Sequence, residues 1–201
     1  MSIKPSAPSA LEAARPWGWT PIRTLGPHHR ERVAQHLLEL DDADRTLRFG
    51  HAASDERVRQ YAEQLDFQRD EVFGIFDRRL RLVGMAHLAY PVAGDGRDTA
   101  EFGVSVNPRQ RGRGLGMRLF EHAVMHARNR GVRKMLIHLA RENAPMLRIV
   151  QRAGALVRFE GHDVVAELPL PEDTLGSQLH ELLDHQASLM DYRLKLNALR
   201  Q

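Results

Sequence analysis

The 201-residue chain predicts a mixed α/β domain. Three observations carry that class. Glu101 to Val106 alternates like a strand, with Phe102, Val104 and Val106 on one side and Glu101, Gly103 and Ser105 on the other. After Asn107-Pro108 breaks that strand, an apolar pattern of helical period runs from Leu115 to about Asn129. Hairpin signals stand before this unit and short strands after it.

In chain order, residues 1–18 hold Pro5, Pro8 and several Ala and Ser, and are expected to be a mobile tail. Trp19 to Leu25 predicts a first strand. Gly26-Pro27 suits a helix start, and Val33, Leu37, Leu38 and Leu40 give that helix an apolar face. Asp41 to Arg48 reads as a charged connection. Ser54, followed by Asp55 and Glu56, caps a second helix ending near Asp66. Glu71 to Phe76 and Leu80 to Tyr90 form a hairpin through Asp77-Arg78-Arg79, and a second turn from Pro91 to Asp98 returns the chain to the central strand. Beyond the central helix come a strand from Lys134 to Leu139, a helix from Glu142 to Ala153 closed by Gly154, and strands at Ala155 to Glu160 and Asp163 to Leu168. Leu175, Leu179, Leu182, Leu189 and Leu196 predict an amphipathic helix over 171–201, packed on its own domain or on a second subunit; the second arrangement would make a homodimer.

The turn between Val106 and Leu115 carries Arg109, Arg111 and Arg113 with Gly112, Gly114 and Gly116. A strand, a basic glycine-rich turn and a helix N-terminus form a phosphate cradle: free N–H groups point outward, the helix dipole favours an anion, and glycine permits close backbone approach. Glycines at every second residue do not fit the dinucleotide fingerprint, and no Gly-Lys-Ser or Gly-Lys-Thr follows to make a nucleotide P-loop.

Arg111, Gly114 and Gly116 match the acetyl-CoA motif of the GNAT N-acetyltransferases, which has Gln or Arg, two residues, Gly, one residue, then Gly or Ala. With the strand before and the helix after, residues 19–170 resemble that family's domain. The nearer likeness is to the acetyltransferase module of bacterial protein lysine acetyltransferases, through LRFG at Leu47 to Gly50, LDF at Leu65 to Phe67, and AEFGV from Ala100. The resemblance implies a central, mostly antiparallel twisted sheet splayed between its fourth and fifth strands and flanked by helices, with 171–201 as an added C-terminal helix. It implies acetyl-CoA as co-substrate. The backbone of Val104, Ser105 and Val106 would pair with the pantetheine arm, Arg111, Gly112, Arg113, Gly114, Leu115 and Gly116 would hold the pyrophosphate, and Asn143 would stand near the pantetheine.

The reaction so implied is acetyl transfer to the primary amine of a protein or small molecule. A lysine amine of pKa about 10.4 costs about 4.6 kcal/mol to free at pH 7, so a general base is useful. Glu101 resembles the glutamate at the matching strand position and is the candidate. Where many members carry a tyrosine that protonates the departing thiolate, this chain has Val150. A thiol of pKa about 8.5 leaves as the anion at a cost of only about 2 kcal/mol, so the loss slows the reaction without abolishing it. The alternative is a non-catalytic acyl-CoA-binding module or sensor.

Composition excludes other chemistry. The absence of cysteine removes disulfides, thiolate nucleophiles and Cys-based zinc sites. Among 11 histidines, His122 and His126 stand four apart on the central helix, but apolar neighbours claim the buried face, so they are expected to be solvated and no metal is predicted. No Gly-x-Ser-x-Gly elbow occurs. With 29 Lys plus Arg against 26 Asp plus Glu, and arginines clustered at one turn, the charge argues against nucleic acid. No apolar run reaches membrane-spanning length and no signal-peptide core opens the chain, so a cytoplasmic enzyme is expected. Asp41, Asp42, Asp44, Asp55 and Glu56 are candidates for receiving a cationic acceptor.

Overall fold

A computed structural model describes residues 21–91, 98–161 and 163–170. The helix predicted over 171–201, the tail and most of the turn after Pro91 lie outside the described residues. Seven strands form one sheet in the order β1-β2-β3-β4-β5-β7-β6. They are β1 (Ile22–Leu25), β2 (Glu71–Phe76), β3 (Leu82–Ala89), β4 (Thr99–Val106), β5 (Lys134–Ala140), β6 (Leu156–Glu160) and β7 (Asp163–Pro169). All neighbours are antiparallel except β4 and β5.

Helices cover both faces, which is why β2 is buried along nearly its whole length without an exposed side. On one face, α4 (Leu115–Asn129) and α5 (Ala144–Arg152) lay Leu119, Phe120, Ala123, Met146 and Val150 against Phe73, Leu88, Phe102 and Ile137. On the other, α1 (Arg30–Leu38), α2 (Asp42–Phe49) and α3 (Asp55–Gln64) enclose a second core in which Val33, Leu37, Val58 and Ala62 meet Val72, Phe76 and Met85. Alternation along β2 serves both cores, Val72 and Phe76 facing one and Phe73 and Ile75 the other.

The Asp41 to Arg48 stretch is a helix rather than a connection. Asp41 caps α2 by accepting the Asp44 N–H at 2.8 Å, and Gly50 ends it in the left-handed region at φ 77°. Apolar periodicity misses this helix because the residues it buries are Asp44 and Arg45. The Arg45 guanidinium donates to the carbonyls of Leu38, Leu40 and Ala53 and to Asp55 at 2.7 Å, tying the end of α1 to the start of α3. Ser54 caps α3 as its position predicts, accepting from Arg57 N–H.

His126 is not solvated, and His122 is half-buried. His126 is buried with its Nδ1 3.1 Å from Glu71, and both rings pack on Phe73, at 4.7 and 4.6 Å between centroids. Their spacing serves packing across α4 and β2.

Candidate active site

The site begins where the sheet splits. β4 and β5 pair only at Thr99↔Lys134, Ala100↔Met135 and Glu101↔Leu136, although β5 runs on to Ala140. Beyond Glu101 the strands part, and β4 stays paired to β3 alone through Val106. One edge of residues 103–106 therefore presents backbone N–H and C=O groups that no strand occupies.

On the α4 side of the split lies a cavity of about 440 Å³. Val104, Ser105, Val106, Arg111, Gly112, Gly114, Leu115, Gly116 and Asn143 all line it. Gly112 and Gly114 have φ of 73° and 74°, a conformation that L side chains rarely adopt, and a Cβ at either would meet open space. Gly114 is the N-cap of α4, and the Arg118 N–H is the first to reach its carbonyl, at 3.1 Å. The N–H groups of Leu115, Gly116 and Met117 have no intrahelical partner. Orphan donors at a helix N-terminus beside Arg111 and Arg148 fit a pyrophosphate, and Met117, Met146 and Ile149 fit the thinner, less polar pantetheine arm.

Arg111 is not idle: its Nε donates to the Val106 carbonyl at 3.3 Å and its Nη2 lies 2.5 Å from Asp44. Arg113 is exposed, its guanidinium on the Gln110 amide oxygen and away from the cavity lining. Asn143 caps α5, its Oδ1 accepting from Met146 N–H at 3.1 Å. Val150 is wholly buried in the core and reaches neither cavity described here.

Across the split is a second cavity of about 580 Å³, lined among others by Glu101, Glu160, Asp163, Tyr61 and His87. The Glu101 side chain is exposed and makes no ion pair or hydrogen bond with the described residues. The acidic residues flagged in the α2 and α3 regions do not line this cavity. Asp41 is a cap, Asp44 pairs with Arg111, and Asp55 pairs with Arg45 and Arg59. Their place is taken by Glu160 and Asp163, which face each other across the β6–β7 pair.

Three elements and the residue before β2 contribute a polar chain that runs back from this second cavity. Arg48 Nη2 donates to the Tyr61 hydroxyl at 2.7 Å, that hydroxyl lies 2.8 Å from His87 Nδ1, and His87 Nε2 lies 3.1 Å from Asp70. Burial pushes the Asp70 carboxyl up, but hydrogen bonds from Arg69, His87 and the Tyr90 N–H outweigh it and hold the group well below the usual carboxylate range. Burial also raises the Tyr61 phenol, which stays protonated. With Asp70 accepting from Nε2, a neutral His87 uses Nδ1 to accept the Tyr61 proton. Arg48, Tyr61 and His87 were not legible as site residues, since no sequence spacing joins α2, α3 and β3.

Residues 34–155 match the model of the acetyltransferase (GNAT) family. The GNAT domain of S. lividans PAT superposes with a TM-score of 0.63 at 22% identity, covering 74% of this chain and 89% of that one. The yncA protein of Salmonella typhimurium, whose structure holds acetyl-CoA, gives 0.59 at 20% identity over 78% and 97%. The ribosomal-protein-S18-alanine N-acetyltransferase of Escherichia coli gives 0.57 at 15% over 78% and 97%. At these identities the likeness shows the fold. Among the described residues no three His, Asp or Glu side chains gather to hold a metal ion, and no helix is long and apolar enough to cross a membrane.

Proposed function

Because the chain belongs to the acetyltransferase (GNAT) family, whose acetyl donor is acetyl-CoA, we propose that it transfers an acetyl group by direct attack of a primary amine held in the Glu101 cavity. The observation that carries this is the pair of cavities on either side of one split strand edge, one with a glycine-rich anion cradle and the other with an unpaired carboxylate. Glu101 takes the ammonium proton directly or through a water, and Glu160 and Asp163 favour an acceptor that carries positive charge, such as a lysine side chain of a protein or a small polyamine. Val104, Ser105 and Val106 offer backbone to the pantetheine, and Arg111, Gly112, Gly114, Leu115 and Gly116 offer the pyrophosphate site, with Arg113, outside the lining, adding charge at longer range. The catalytic unit is residues 19–170, and 171–201 contributes a homodimer contact, which light scattering on a chain ending at Leu170 would test by a smaller assembly.

Calorimetry with CoA, followed by an acetyl-CoA consumption screen over polyamines, aminoglycosides, amino acids and lysine-bearing proteins, tests the assignment. Tight CoA binding with no acetylated amine would favour a sensor, an alternative that Val150 supports. A preference for NAD over CoA would overturn both.

A further inference from the structure

Among the described residues, only Arg48 lines both cavities. Its side chain leaves α2 and crosses the face of β4 at Gly103, two residues past the last β4–β5 pair. A Cβ at Gly103 would stand 2.6 Å from Nη1 and 2.7 Å from Cζ, so the guanidinium lies flat on a position that only glycine leaves clear. It is clamped from the other side by the Tyr61 hydroxyl and by the Phe49 and Tyr61 rings, at 5.2 and 5.3 Å from its Cζ. The clamp is itself anchored, through His87 and Asp70, to β3 and to the turn before β2.

What this cation lacks is a counter-charge. It makes no ion pair with the described residues, and its Nε is buried without a hydrogen-bond partner. A half-buried guanidinium fixed in place with donors unspent is an anion site. The anion the proposed reaction generates at that junction is the sulfur of the departing CoA, and the side chain that many family members supply for it is missing at Val150.

Resting on the acetyltransferase assignment above, we propose that Arg48 meets the departing thiolate with its free N–H groups. As Glu101 accepts the ammonium proton, the amine nitrogen attacks the thioester carbonyl carbon and the C–N bond forms. The C–S bond then breaks with its electron pair on sulfur, the attacking nitrogen gives its second proton to solvent water to leave the neutral amide, and the sulfur later takes a proton from that water. Arg48 donates hydrogen bonds throughout and keeps its own protons, because a guanidinium does not deprotonate in proteins.

The test titrates CoA bound to the full-length protein, following thiolate absorbance in the ultraviolet against pH, with no acceptor present. In the parent protein the bound thiol should ionise roughly one unit below the free value near 8.5, and Arg48→Gln should return it to that value while Arg48→Lys keeps part of the shift. Gly103→Ala provides an independent arm, since it leaves the charge and displaces the guanidinium, and should also erase the shift. Equal titration of bound CoA in the parent, Arg48→Gln and Gly103→Ala would overturn the inference. So would an Arg48→Gln variant that changes only the acceptor KM, which would assign the cation to a substrate carboxylate instead. Failure of the parent protein to bind CoA would overturn the acetyltransferase assignment itself.

Discussion

The Asp44 carboxylate lies 2.5 Å from the Arg111 guanidinium, and the two are unequal partners, with Asp44 only 6% exposed and Arg111 48%. Asp44 thus ties Arg111 of the glycine turn to α2, and both residues line the cavity on the α4 side of the split. Its second oxygen is buried without a partner, so removing Arg111 leaves a carboxylate poorly compensated. Breaking a fully buried pair costs about 3–5 kcal/mol, and exposure of the arginine reduces this to about 1–2. Arg111→Ala should destabilise by that amount in urea unfolding without CoA, and Asp44→Asn added to it should recover most of the loss. An Arg111→Ala variant as stable as the parent would show that water already serves the carboxylate.

The glycine turn makes a sharper prediction, because its glycines are not equivalent. Gly114 has φ 74° and opens α4, so Gly114→Val strains the backbone and puts methyl groups where a phosphate must approach. Gly116 lies inside the helix, and a Cβ there would meet only Ile149 at 3.8 Å and Val106 at 4.0 Å, ordinary contact. CoA affinity measured by calorimetry should fall at least about tenfold in Gly114→Val, a loss of roughly 1.4 kcal/mol, and stay within about twofold in Gly116→Ala. Equal affinities for the two variants would remove the turn from cofactor binding.

The contrast between this turn and α2 explains what was legible in advance. The unit from Glu101 to Asn129 announces itself by a change of apolar period across a glycine-rich break, and α4 starts and stops where that pattern does. In α2 the buried side chains are Asp44 and Arg45, so hydrophobicity carried no signal; the Asp41 cap and Gly50 did, and they outweigh the charge of the residues between. His122 and His126 looked solvated because an apolar face was already complete, yet that face is wide enough for both rings to reach Phe73. The hydrogen-bonded chain from Arg48 to Asp70 joins α2, α3, β3 and the turn before β2, and exists only after folding.

His36 gives stability a pH signature. Its Nδ1 lies 3.1 Å from the Leu82 carbonyl and so donates to it, leaving Nε2 to accept the Ser105 hydroxyl at 2.9 Å. Burial pushes the imidazole from 6.5 down to about 4; the Leu82 contact opposes this and the charge of Arg48 adds to it. Between those values the unfolded chain binds a proton that the native state refuses, so unfolding free energy should fall as pH drops from 6.5 to 4, by about 2–3 kcal/mol from this residue. Buried His29, also pushed down to about 4, should steepen the same window. Denaturant titrations across that range should show a shallower slope in His36→Gln, by close to one proton. An identical slope would mean that His36 already charges in the native state.

Glu101 lies at the last residue pair before β4 and β5 separate, and it lines the second cavity beside that split. If it frees the amine, Glu101→Gln should keep CoA affinity, since the glycine turn and the backbone of β4 are unchanged. It should lose about 10²–10⁴-fold in kcat near neutral pH. The deficit should shrink as pH rises toward the amine pKa of about 10.4, where the nucleophile forms unaided. A kcat equal to the parent's at neutral pH would remove Glu101 from the mechanism, whereas a uniform loss at every pH would make it a binding residue. Supplying the family's tyrosine is the complementary change, and the core decides its outcome. Val150 is fully buried, so Val150→Tyr should overpack by about 1–3 kcal/mol and lower Tm. With Arg48 already meeting the thiolate, kcat should not rise; a clear gain would show that the leaving sulfur is still unsupported in the natural chain.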